Sequence, residues 1–142
     1  MRISAKAEYA CIAMLELAAN RFSQPVRIKS IAANHGIPQR FLVQILLQLK
    51  GAGLVTSVRG AAGGYQLLKP PEEITLADII NQIDGTPSLR QTPFDSPRFP
   101  VIQALRQVWK DLQAEEQRIL EEINLADLVR RTQDSAALSY QI

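Results

Sequence analysis

Between Ile31 and Ile45 the chain reads IAANHGIPQRFLVQI, and this spacing leaves few folds open. Ala32 precedes Gly36 by four residues, while Leu42 and Ile45 follow that glycine by six and nine. A small residue lets two helices cross closely, and a glycine takes the positive φ of a tight corner. Apolar residues further on then lock the second helix against the first. Pro38 suits the start of that second helix, because a first-turn residue needs no N–H. The pattern is that of a helix-turn-helix, with a plain helical corner in a bundle as the bland alternative.

The flanking sequence extends this unit on both sides. Ala7, Ala10, Cys11, Met14, Leu15, Leu17 and Ala18 recur at three- and four-residue steps after Ser4, a suitable N-cap, so residues 4–20 form a first helix. Residues 20–25 are a turn, and residues 26–28 are either a short strand or an extended lead into a short helix at 29–34. The second motif helix spans residues 38–50, with Phe41, Leu42, Ile45, Leu46 and Leu49 as its apolar stripe and Gly51 or Gly53 as its stop. Residues 54–58 and 65–68 are strand-like around a turn built from Gly60, Gly63 and Gly64. These glycines match neither phosphate-loop spacing, and a strand rather than a helix follows them. The hairpin therefore reads as the wing of a winged helix.

Thr75 caps a helix over 76–83 that Gly85 closes. Residues 86–100 hold four prolines and little periodicity, which predicts an irregular connection. From 101 to 123 one long amphipathic helix carries Val101, Leu105, Val108, Leu112 and Ile119 on a heptad-like stripe beside Trp109. A wide apolar stripe on so small a protein needs a second copy to cover it, which predicts a homodimer. A short last helix at 124–131 and a loose tail at 132–142 complete the reading. The expected fold is mainly α: a winged helix-turn-helix domain over 1–85, the connection over 86–100, and a dimerisation helix with tail over 101–142.

Charge is divided along the chain. Residues 1–69 carry nine Lys/Arg against two Glu, a balance of +7, and residues 70–142 carry seven against twelve acidic residues, a balance of −5. A basic half joined to an acidic half is the footprint of a protein whose first half meets a polyanion. On a helix-turn-helix that polyanion is double-stranded DNA. Gln39, Arg40 and Gln44 sit where the second helix presents base-reading side chains, Phe41 packs or meets a thymine methyl, and Pro38 opens the helix. Arg59 and Gly60 place the wing tip at the phosphate backbone or in a narrow minor groove, with Arg2 and Lys6 near the backbone.

The chain has one cysteine, Cys11, and one histidine, His35, which excludes an intrachain disulfide and an ordinary structural zinc site. No cofactor is expected. Cys11 lies on the inner stripe of the first helix and reads as a small buried hydrophobe. No apolar run approaches a membrane span or a secretory h-region, so the expected location is the cytoplasm, away from membranes.

Several motifs stand in register with a known family. They are Arg2-Ile3-Ser4-x-Lys6-x-x-Tyr9-Ala10, Ile37-Pro38 running into Phe41-Leu42-x-Gln44-Ile45-Leu46, Ala52-Gly53-Leu54-Val55-x-Ser57-x-Arg59-Gly60-x-x-Gly63-Gly64-Tyr65, and Ile74-Thr75-Leu76-x-Asp78-Ile79-Ile80. Together they resemble the Rrf2 family of winged-helix regulators, closely over residues 1–85 and in outline along the long helix. The resemblance implies a homodimeric bacterial transcription regulator on a pseudo-palindromic operator. It also implies three cysteines in the connection of cluster-bearing members, and residues 86–100 contain none. A two-iron cluster needs about four protein ligands, mostly thiolates. Glu8 falls where some members offer an acidic ligand, but a carboxylate without thiolates is a weak site. The chain thus resembles the cluster-free branch, which is controlled through a protein partner. Its own effector, a protein or a small ligand, is not written in the residues.

The alternative class is a protein-interaction adaptor, whose 86–100 segment docks a partner enzyme and whose winged helix no longer reads DNA, or a regulator whose DNA binding depends on a partner protein. The basic first half argues against adaptor activity alone. An enzyme is not expected, since no nucleophile–base pairing or paired carboxylates emerge from the motifs.

Overall fold

The computed structural model describes residues 3–88 and 99–140, with side chains through residue 136. Arg2 and most of the proline-rich connection lie outside the described residues. In chain order the elements are α1 (Ala5–Ala19), α2 (Ile28–His35), α3 (Gln39–Gly51), the strands β1 (Val55–Val58) and β2 (Gly64–Leu67), a 3₁₀ turn (Pro71–Glu73), α4 (Leu76–Asp84), α5 (Pro100–Glu122) and α6 (Leu125–Tyr140).

α1 begins where its cap dictates. The Ser4 hydroxyl accepts from the Ala7 amide at 3.0 Å, satisfying one of the four orphan donors of the first turn. Ala7, Ala10, Ala13, Met14, Leu17 and Ala18 are its buried face, and small side chains there let α3, α4, α6 and β2 all pack against it. Its Met14 and Leu17 meet Ile31, Leu42, Ile45, Leu46, Leu49, Ile74 and Ile79 in the core. Each such side chain contributes about 1.5–3 kcal/mol by leaving water.

Gly36 makes the corner between α2 and α3, with φ 66° in the left-handed region that a glycine adopts without strain. The strands pair antiparallel from Val55↔Leu67 to Val58↔Gly64. Residues 26–28 resolve the choice left open by the sequence: Val26 donates to the Tyr65 carbonyl at 2.9 Å and accepts from its amide at 2.8 Å. One residue thus forms a third edge of the wing sheet. The close approach explains Gly64, where a Cβ would stand 2.5 Å from the Val26 oxygen.

α4 starts with a capping box, in which Thr75 accepts from the Asp78 amide and Asp78 accepts from the Thr75 amide. α5 then carries no buried residue along its whole length. Its C-terminal end returns to the domain through Leu76 N–H to Ile123 at 3.0 Å and Leu125 N–H to Ile74 at 2.9 Å, and Leu125 is fully buried in the core. α6 packs on α1 and the 3₁₀ turn. The sequence reading ends this helix at 131 and leaves a loose tail. The helix instead runs to Tyr140, because Ala136, Ala137 and Leu138 are strong helix formers even where the apolar pattern fades.

Candidate nucleic-acid interface

α3 is divided into two faces by its sequence. Leu42, Ile45, Leu46 and Leu49 are buried, so at 100° per residue Arg40, Gln44 and Leu47 project from the opposite side, and all three are exposed. Pro38 precedes the helix as its cap residue, with φ −59° and ψ 128°, so the helix begins at Gln39, one position later than the start at Pro38 that the sequence suggests. Gln39, the first helical residue, turns toward the wing. There it lines a cleft of about 370 Å³ with Arg27, Lys29, Ser57, Gly60 and Tyr65.

This cleft brings together three elements that are distant in sequence. Gln39 comes from the start of α3, Gly60 from the wing tip next to exposed Arg59, and Arg27 and Lys29 flank the first residue of α2. Arg27 and Lys29 were missed by sequence reasoning. The available signal was two cations on either side of Ile28, in a stretch whose conformation was undecided. α2 also has no side-chain cap, so its first turn keeps amide donors for an anion.

Phe41 is 36% exposed, with its ring centroid 6.1 Å from that of Tyr9 and the Arg40 guanidinium 5.0 Å over it. The ring packs on Tyr9 while one side stays exposed, and it steadies Arg40 at the front of the helix. Lys6 stands apart from this group. Its ammonium donates to Gln48 Oε1 at 3.0 Å, and Gln48 donates to the Gln82 carbonyl at 3.2 Å, so Lys6 joins α1, α3 and α4 at the far end of α3. At that same end Lys50 reaches the Ser57 hydroxyl at 2.7 Å.

Cys11 is part-buried on α1. Burial pushes its thiol up to about 11, and the nearby charges of Glu8 and Asp84 act in the same direction. An inert thiol is the consequence. His35 ends α2 with Nε2 3.3 Å from Glu16 Oε2. Among the described residues no group of His, Cys, Asp and Glu is arranged to hold a metal ion, and no helix is long and apolar enough to cross a membrane.

The apolar stripe of α5 lies open. Val101 is 82% exposed, and Leu105, Val108, Trp109, Leu112 and Ile119 are each between 45% and 52% exposed. Large apolar side chains at heptad spacing, exposed along one helix, are the kind of surface on which coiled-coil-like contacts are built.

Comparison with known proteins agrees with this geometry. The Rrf2 family model, described as an iron-dependent transcriptional regulator, matches residues 3–131. Rv1287 of Mycobacterium tuberculosis, which bears the name of an HTH-type transcriptional regulator, is 45% identical over 130 residues, 90% of this chain and 81% of its own. The HTH-type transcriptional regulator CymR of Bacillus subtilis is 35% identical over 132 residues, 93% of this chain and 92% of its own. The solved structure of CymR, described as the global cysteine regulator of that organism, superposes with a TM-score of 0.82 at 32% identity, covering 92% of this chain and 98% of its own. That of IscR from T. potens gives 0.79 at 32% identity, covering 95% and 90%. Since the family model spans the helix-turn-helix, the wing and the long helix alike, the chain belongs to the Rrf2 family of DNA-binding transcriptional regulators.

Proposed function

We propose that the chain acts as a homodimer that reads a two-fold symmetric operator, with one α3 in the major groove of each half-site and the wing beside it. The observation that carries this reading is the shared cleft. Gln39 opens onto the same surface as Arg27, Lys29 and the wing tip, while Arg40 and Gln44 project from the front of α3. Arg40 and the two glutamines are suited to base edges, with bidentate Arg–guanine and Gln–adenine pairs in the major groove. Arg27, Lys29 and Arg59 supply the phosphate or narrow-groove contacts that fix register. Arg2 belongs with these on the resemblance alone, and Lys6, held at Gln48 Oε1, keeps further ammonium donors for a backbone phosphate.

The dimer half of the proposal rests on the open stripe of α5 from Val101 to Ile119. The division into domain, connection and dimerisation segment follows from it, with Leu125 and α6 returning to brace the first domain. In this role the chain performs no catalytic step and works in the cytoplasm with its DNA.

Iron in the family description does not fit this donor set. A thiolate-ligated iron centre needs several cysteines, and the one thiol here is part-buried, held protonated and flanked by Glu8 and Asp84. Operator binding is therefore expected without an iron–sulfur cluster.

Fluorescence anisotropy on a duplex enriched from random sequence tests the proposal. Expected is steep weakening with salt, since each neutralised phosphate releases about 0.9 counterion, and half-maximal binding at two chains per duplex. One chain per duplex, or affinity insensitive to salt, would contradict it.

A further inference from the structure

A second concavity lies on the other side of α1, away from α3 and the wing. It has a volume of about 310 Å³ and three walls: Ile12, Leu15, Glu16 and Ala19 of α1, His35 at the end of α2, and Val129, Thr132 and Gln133 of α6. Ile12, Leu15, Ala19 and Val129 make the floor aliphatic. The polar groups gather at one end, where the Glu16 carboxylate accepts from Asn34 Nδ2 at 2.8 Å and lies 3.3 Å from His35 Nε2. An apolar hollow of this size with a few convergent polar groups has the make-up of a small-molecule site.

The lining decides the charge of what it would hold. None of the eight lining residues is Lys or Arg, so an anion finds no strong partner there. Glu16 is only 18% exposed, and each of its oxygens has room for a further donor beyond Asn34 and His35. The Thr132 hydroxyl, which donates to the Leu128 carbonyl at 3.0 Å, keeps its lone pairs for another donor. From this complementarity the geometry points to an effector site for a small amphiphilic cation, a primary ammonium on an aliphatic body of about four to eight carbons, with its nitrogen at Glu16 and its chain over Ile12, Leu15 and Val129.

The position of the site gives the ligand a route to the DNA-binding surface. Asn34 and His35 are the last residues of α2 before Gly36, the glycine that makes the corner into α3. Glu16 fastens that end of α2 to α1. An ammonium added at the Glu16 oxygens shares their charge with Asn34 and His35 and so weakens the fastening at the root of the corner, and the same ligand bridges α1 to α6. This consequence rests on the reading of α3 as the operator-reading helix, whereas the binding site itself does not.

Calorimetric titration of the full-length chain with n-hexylammonium, n-hexanol and hexanoate, without DNA, tests the site. The expected result is one saturable hexylammonium site per chain, with the alcohol and the carboxylate at least about tenfold weaker. Glu16→Gln should lower hexylammonium affinity to that of hexanol. Ala19→Phe, at an exposed position on the rim, should abolish binding by filling the hollow, with circular dichroism and melting confirming that both variants fold. Absence of saturable binding, equal affinity for the three probes, or binding unchanged in both variants would overturn the assignment. Coupling is read separately by anisotropy on the enriched duplex: saturating hexylammonium should shift native affinity at least about threefold and leave both variants unchanged. A native affinity that does not move would overturn the effector role, even where calorimetry has found the site.

Discussion

Arg59 stands exposed on the glycine-built tip of the wing, one residue before Gly60 of the cleft. In the proposed complex its guanidinium reads a narrow groove or clamps phosphate, so Arg59→Ala should weaken operator binding by about 1–3 kcal/mol while leaving the melting temperature unchanged. Anisotropy and calorimetry measure the two quantities. Cys11 provides a second check at this scale. With its thiol pushed up to about 11 from an ordinary 9, its thiolate fraction at pH 8 falls about hundredfold, and disulfide-exchange labelling should slow by at least that factor. Because the folded value is raised, the neutral thiol supports the fold below about pH 9, and that support is lost as pH climbs through about 11. Cys11→Ala should flatten this alkaline decline in urea melts. Single residues were legible in the sequence where one residue type answers one need, as with Ser4 at a cap or Gly36 at a corner. Lys6 was not, since its partner Gln48 is 42 residues away and only the packing of α1 on α3 brings them together.

At the level of elements, the wing depends on a contact that no local pattern announces. Val26 joins β2 through the Tyr65 bridge, and Gly64 permits the approach with φ 150° and no side chain. Gly64→Ala should push the strand from Val26 and destabilise the protein by about 1–3 kcal/mol in urea melts, with a larger loss in operator affinity than Thr75→Ala. Thr75→Ala removes half of a capping box far from the cleft and should cost about 1 kcal/mol of stability with little change in binding. Helix periodicity and caps made α1, α3 and α4 legible to within a residue or two. The third edge of the wing and the length of α6 were not, because one is a long-range bridge and the other follows propensity after the apolar pattern has faded. Arg27 and Lys29 were hidden for the same reason, their role depending on how residues 26–28 sit against β2.

For the whole molecule, the open question posed by the sequence was what covers α5. Its stripe from Val101 to Ile119 is uncovered in one chain, whereas Leu125 immediately beyond it is fully buried. Replacing Leu105 and Leu112 together by Glu should yield a folded monomer in analytical ultracentrifugation at micromolar concentration, with operator affinity falling at least about hundredfold as the two half-sites come apart. A variant that remains dimeric would place the interface elsewhere. The basic first half and acidic second half fit the same plan, the first carrying the cleft and the second carrying α5. The central claim is that two copies read one symmetric sequence. Selection from random double-stranded DNA with the native chain tests it most directly. A motif of two equal half-sites related by a dyad is the expected result, and enrichment of a single asymmetric site, or of no sequence at all beyond salt-sensitive binding, would contradict it.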